Sequence, residues 1–140
     1  MNTMSALQSS APHPAAAELH CWTLGTFGEL RSLRAALREA IEDHTDEVDD
    51  LFDRMAVVAT ELATNALRHG LPPTEVRLLR EDDHLILDVA DHDLGTLPAV
   101  DEGRPLGAGG LGLQLTKTFA IDVGWYRTGT TKHVWASFPG

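Results

Sequence analysis

Apolar positions along the chain change period several times, and each change marks an element. Between Ala17 and Leu24, Leu19 and Cys21 alternate with His20 and Trp22, the period of a strand. Gly25 to Gly28 breaks that pattern. From about Glu29 to Asp43, Leu30, Leu33, Leu37 and Ile41 recur at helical spacing. The acidic cluster from Asp46 to Asp50 suits the positive end of a second helix dipole. That helix is expected to run to about His69, with Leu51, Met55, Val58 and Leu62 on its buried stripe. Gly70, Pro72 and Pro73 then stop it.

Two strands follow, Glu75–Arg80 and Leu85–Ala90, joined by the polar turn from Glu81 to His84. Asp91 to Ala108 carries Gly, Pro and Asp without an apolar period and reads as a long loop. A glycine cluster opens a third helix, about Leu111 to Phe119. Strands at Ile121–Arg127 and Lys132–Phe138 flank a Gly129-Thr130 turn. The order β-α-α-β-β-loop-α-β-β implies an α+β, two-layer sandwich: about five mainly antiparallel strands with three helices on one face. Residues 1–16, rich in Ser, Ala and Pro, read as a flexible arm, and residues 17–140 as one domain.

Composition narrows the partners. Hydrophobic residues make up 43% of 140, enough for a core. The formal charge of −10 (21 acidic against 11 basic residues) repels nucleic acid, and no basic patch offsets it. A protein partner or a small anion held by backbone groups is the better expectation. No apolar run approaches the roughly 20 residues that span a membrane, and the start lacks the pattern of a signal peptide. Cys21 stands alone, so no internal disulfide forms and the cytoplasm is the expected compartment.

Three segments carry candidate chemistry. Glu61, Asn65 and His69 are spaced four apart and stack along one face of the second helix, beside its apolar stripe. Two readings stand: a solvated face ending in a dipole-favoured His, or the wall of a pocket. Asp91-His92-Asp93-Leu94-Gly95 ends a strand, as turn residues do, or offers a carboxylate to a ligand. Gly107-Ala108-Gly109-Gly110-Leu111-Gly112 is a hinge, or a loop whose free N–H groups face an anion at a helix start. His84, Asp88, His92 and Asp93 match no closed metal-site spacing.

The run Glu61-Leu62-Ala63-Thr64-Asn65-Ala66-Leu67-Arg68-His69-Gly70 closely resembles the N-box of the GHKL ATPases, in particular the anti-sigma serine kinases. The resemblance implies ATP and Mg²⁺ as cofactors, with Asn65 as metal ligand and Glu61 as general base on an accepting hydroxyl. It gives Asp91 the adenine amino group, with Gly95 as the second glycine of that box and Asp93 where the first would stand. Gly110, Leu111 and Gly112 resemble the phosphate-facing second glycine box. A short lid, about Thr96 to Gly109, lies between the boxes, with Arg104 within reach of a terminal phosphate. His133 takes the place of a Thr or Ser that helps hold adenine.

Family relatives hold a sigma factor as ATP-bound dimers, or phosphorylate a Ser or Thr of a STAS-domain antagonist. The resemblance therefore implies homodimerisation and partners of those kinds, with no direct nucleic-acid contact. Helix one carries Arg31, Arg34 and Arg38 along one face, either a solvated stripe or a surface for an acidic partner. An alternative reading is a nucleotide-dependent regulator that grips its partner without phosphorylating it, with Asp93 and His133 as the departures. A detached histidine-kinase domain fits less well, because the lid is short and the chain has no separate phosphoacceptor helix.

Overall fold

Strand alternation and helix stripes sort the side chains into two layers and fix where the core lies. The computed structural model describes residues 5–6, 8–12, 16–95, 99–100 and 116–139. The strands are β1 (Ser5–Ala6), β2 (Gln8–Ser9), β3 (Ala17–Leu24), β4 (Thr74–Glu81), β5 (His84–Asp91), β6 (Ala99–Val100), β7 (Asp122–Arg127) and β8 (Lys132–Pro139). Helices α1 (Leu30–Glu42) and α2 (Val48–His69) lie between β3 and β4, and residues 116–119 are helical. The main sheet runs β2-β7-β8-β5-β4-β3. Its five longer strands are antiparallel, and β2 joins β7 in parallel. This is the expected α+β sandwich.

Local chemistry accounts for the helices. The Glu29 Oε1 atom accepts the Gly25 and Thr26 N–H groups at 2.8 and 3.0 Å, which closes the turn leading into α1. Leu33, Leu37 and Ile41 of α1 meet Met55, Val58 and Leu62 of α2 in one core. Each of these large side chains, buried, contributes about 1.5–3 kcal/mol relative to exposure. Asp49 and Asp50 occupy the first turn of α2, where the helix dipole favours negative charge. Arg38 spends its charge on Asp49 at 2.8 Å and stacks over Phe52, while Arg31 and Arg34 stay exposed.

The core face of the sheet supplies Val76, Leu78, Leu87, Val89, Ala136 and Phe138 to the helices, and Phe119 packs on the same cluster. The first part of the predicted third helix, residues 111–115, lies outside the described residues. The opposite face has a smaller apolar cluster of Leu79, Ile86 and Trp135, beside buried polar groups.

Three expectations need correcting. The alternation assigned to β3 fails at a bulge between Glu18 and His20. The extra residue resets the pleat, so Leu19 and Trp22 both pack against the core. The predicted loop after β5 contains the short strand β6, which pairs with β1. The segment read as a flexible arm is partly tied down: Ser10 N–H donates to Trp125 O at 2.8 Å, and the Trp135 indole N–H donates to Ser10 O at 2.6 Å. Gly124 makes room for this, since a Cβ there would sit 2.7 Å from both Ser10 Oγ and the Trp135 ring.

Candidate functional site

The site is built where the end of α2 meets the end of β5. Gly70 closes α2 by donating to Ala66 O at 2.9 Å, and its bare Cα lies against Asp91. A Cβ at this position would come within 2.5 Å of the Asp91 carboxylate. Only glycine allows so close an approach. The segments after each element are then fastened together: His92 N–H donates to Leu71 O at 3.0 Å, and His92 Nδ1 donates to Pro73 O at 3.2 Å.

Asp91 is buried, with 5% of its surface exposed, and faces the helix layer. Its Oδ1 accepts the Asp93 N–H at 2.7 Å, and Asp93 Oδ1 in turn accepts the Gly95 N–H at 3.0 Å. The carboxylate at position 93, where the resembled box has glycine, therefore shapes its own turn. Arg127 Nη1 donates to Leu94 O at 3.1 Å and ties that turn to β7. Asp91 Oδ2 is 3.8 Å from Lys132 Nζ, a pairing beyond hydrogen-bond length. Lys132, 8% exposed, stands opposite Asp91 in the β5–β8 register.

Thr74 lies one register step beyond the Glu75–Ala90 pair, on the same face as Asp91. Its hydroxyl is buried without a hydrogen-bond partner among the described residues. A carboxylate oxygen that accepts no hydrogen bond among the described residues, the buried ammonium 3.8 Å from it and an orphaned hydroxyl form a polar set suited to the edge of a nucleotide base. Further back along α2, Glu61 and Asn65 are half-buried beside the apolar stripe. Neither side chain makes a hydrogen bond or ion pair among the described residues, so both keep their oxygens for a ligand. The Asn65 amide oxygen suits Mg²⁺, which takes one or two protein oxygens together with phosphates and water, and the Glu61 carboxylate one turn earlier stays available as a base. His69, the third residue of that series, is exposed.

His133 is placed elsewhere. It alternates to the outer face of the sheet, where Nδ1 lies 2.6 Å from Asp88 Oδ1 and the ring stacks on Tyr126. The geometry does not bring it to Asp91; its neighbour Lys132 takes that position. Arg104, Gly110, Leu111 and Gly112 lie outside the described residues. Sequence reading missed Lys132, Thr74 and the packing role of Gly70. A lysine at the head of an apolar strand was a signal for the first. Gly70 read as a helix stop, and Thr74 carried no signal. Among the described residues, no group of three or more His, Cys, Asp and Glu side chains is arranged to hold a metal, and no helix is long and apolar enough to cross a membrane.

A two-layer sandwich with a polar helix face leading to a buried strand-end aspartate is the architecture of a nucleotide-binding domain. The family model described as the histidine kinase-like ATPase domain matches residues 26–138, and the chain belongs to that family. Membership supports an ATP-binding regulatory role, generally with Mg²⁺. No curated protein matches the chain.

Proposed function

We propose that the chain is an ATP- and Mg²⁺-dependent serine/threonine protein kinase of the anti-sigma kind that, as a homodimer, phosphorylates a STAS-domain antagonist, sequesters a sigma factor, or both. The reading rests chiefly on one juxtaposition: the helix face bearing Glu61 and Asn65 leads directly into Gly70, which lies against the Asp91 carboxylate. Asn65 holds the metal through its amide oxygen. Asp91 accepts from the amino group of adenine through Oδ2, the oxygen not taken by Asp93. Lys132 and Thr74 offer donors beside it, in place of the contact first assigned to His133. Gly95 ends the turn that orients Asp91, while Arg104, Gly110, Leu111 and Gly112 are assigned to the phosphates by resemblance.

Bound Mg²⁺-ATP supplies the electrophilic terminal phosphate. Glu61, one turn before Asn65, takes the proton of the accepting hydroxyl, and the surrounding residues position and neutralise charge. Calorimetric titration with ATP, with and without Mg²⁺, tests the site. Mg²⁺-dependent binding followed by phosphate transfer to a STAS-type protein is the expected result. Binding without transfer would favour a nucleotide-dependent protein-binding regulator. No binding at millimolar ATP would reject the nucleotide site itself.

A further inference from the structure

The outer face of the sheet, opposite the helices, carries a chain of polar groups that nucleotide binding does not use. Asp88, on β5, is fully buried. Its Oδ2 accepts from Tyr126 OH at 2.7 Å and pairs with Arg77 Nη2 at 3.2 Å, while Arg77 also reaches Glu18 at 3.3 Å. Its Oδ1 meets His133 Nδ1 at 2.6 Å, and the other ring nitrogen, Nε2, meets Thr131 Oγ1 at 2.7 Å. Burial and then the Asp88 charge push the Tyr126 phenol up, which keeps it a donor to Asp88.

Hydrogen counting sets the direction of the first link in the chain. Thr128 Oγ1 accepts the Thr130 and Thr131 N–H groups at 3.2 and 2.9 Å, which occupies both of its lone pairs. It is therefore the donor in its 2.6 Å contact with Thr131 Oγ1. That leaves the single Thr131 hydroxyl hydrogen available to a bare His133 Nε2, with the ring proton on Nδ1 facing Asp88. With that tautomer, this is the carboxylate–imidazole–hydroxyl arrangement that activates a nucleophile. Thr131 is only partly buried, in the turn between β7 and β8, whereas His133 is buried.

We propose that Thr131 is an activated acceptor hydroxyl for phosphoryl electrophiles, with His133 as its general base and Asp88 as the residue that positions the imidazole. Acyl chemistry fits less well, because it needs free N–H donors for the tetrahedral oxyanion. Those of Thr130 and Thr131, in the same turn, are already bonded to Thr128. In the step, Thr131 Oγ1 forms a bond to phosphorus, the bond from phosphorus to its leaving group breaks with the electron pair, and the hydroxyl proton passes to His133 Nε2. The phosphoryl donor is a phosphoanhydride in the cell and a fluorophosphonate, losing fluoride, in the test.

The full-length chain is treated with a fluorophosphonate at neutral pH and the adduct is mapped by mass spectrometry. No nucleotide is involved, so the result is independent of the kinase reading. One adduct at Thr131 is expected, retained in Thr131→Ser, absent in Thr131→Val, and formed at least about 100-fold more slowly in His133→Gln. Absence of a Thr131 adduct, or equal labelling elsewhere in Thr131→Val, overturns the proposal. Because buried His133 and Asp88 variants can fail to fold, the wild-type tautomer provides a second test by ¹⁵N NMR. Hydrogen on Nδ1 is expected, and hydrogen on Nε2 overturns it. In folded Asp88→Asn the amide turns its NH₂ to the ring, moves the hydrogen to Nε2 and slows labelling. An unchanged labelling rate removes Asp88 from the assignment.

Discussion

Replacing Gly70 by Ala sets two effects of opposite sign against each other. The backbone there has φ −92°, ordinary for any residue. Restricting the unfolded chain would alone stabilise the protein by about 0.4–1 kcal/mol. Against this, the new Cβ would lie 2.5 Å from Asp91 Cγ and Oδ2 and 2.7 Å from Ala66 O. Backbone carbonyl and buried carboxylate cannot both yield without opening the last turn of α2 or shifting β5, and overpacking of this kind costs about 1–3 kcal/mol. The steric term wins, leaving a net loss of about 1–2 kcal/mol. With a urea slope of about 1–3 kcal/mol/M, the unfolding midpoint should fall by roughly 0.3–2 M. Displacement of Asp91 should also weaken ATP binding by about tenfold, or 1.4 kcal/mol. Gly129→Ala is the control. Nothing lies within 4 Å of its Cβ position, so only the stabilising term should remain. A Gly70→Ala midpoint equal to or above wild type would refute the contact and the site built on it.

Other expectations are more direct. Asn65→Ala should abolish the Mg²⁺ enhancement of ATP affinity in calorimetry, whereas Glu61→Ala should leave binding intact and remove phosphate transfer. Asp91→Asn keeps an acceptor for Asp93 but turns a donor toward Lys132 and the base; a loss of about 1–3 kcal/mol, or roughly 5- to 150-fold in ATP affinity, should result. Hydrogen bonds from Gly25 and then Thr26 hold the Glu29 carboxyl below the ordinary glutamate range. Its stabilisation is thus present above the unfolded value, about 4.3, and lost as pH falls through the folded one. Glu29→Gln should lower the thermal midpoint at neutral pH, and the gap to wild type should close in acid. Burial, then the charges of Glu18 and Glu75, push the Cys21 thiol up, so iodoacetamide at pH 8 should alkylate it more slowly than free cysteine, and Glu18→Gln should speed the reaction.

Elements set by local signals were legible in the sequence. The first strand has the predicted bounds, Ala17 to Leu24, and α2 ends at His69 because Gly70 and the following prolines cannot extend it. Features set by pairing were not legible. Which face His133 occupies depends on the register Asp91↔Lys132, and a single step of register exchanges the faces. The chemistry assigned to His133 consequently falls beside Lys132. The bulge in β3 is likewise a property of its match to β4, and Ser10, directly after β2, is held by bonds to Trp125 and Trp135 more than a hundred residues away. Nothing in Gln8–Ser9 signals those contacts. The Glu61–Asn65 face was legible because four-residue spacing is intrinsic to a helix.

The sheet guards its own margins. Along one side β2 covers the middle of the β7 edge, at Gly124 and Trp125, and on the other β3, with its bulge and charged Glu18, shields β4. Uncovered strands recruit neighbours, and bulges, charges and covering segments are how proteins avoid edge-to-edge aggregation. The family match begins at residue 26, beyond both protective strands. A chain trimmed to that boundary would retain the helix face and Asp91 yet present two bare hydrogen-bonding edges. Loss of the residues before 26 is therefore expected to favour edge-to-edge association, a consequence the family boundary alone would not reveal.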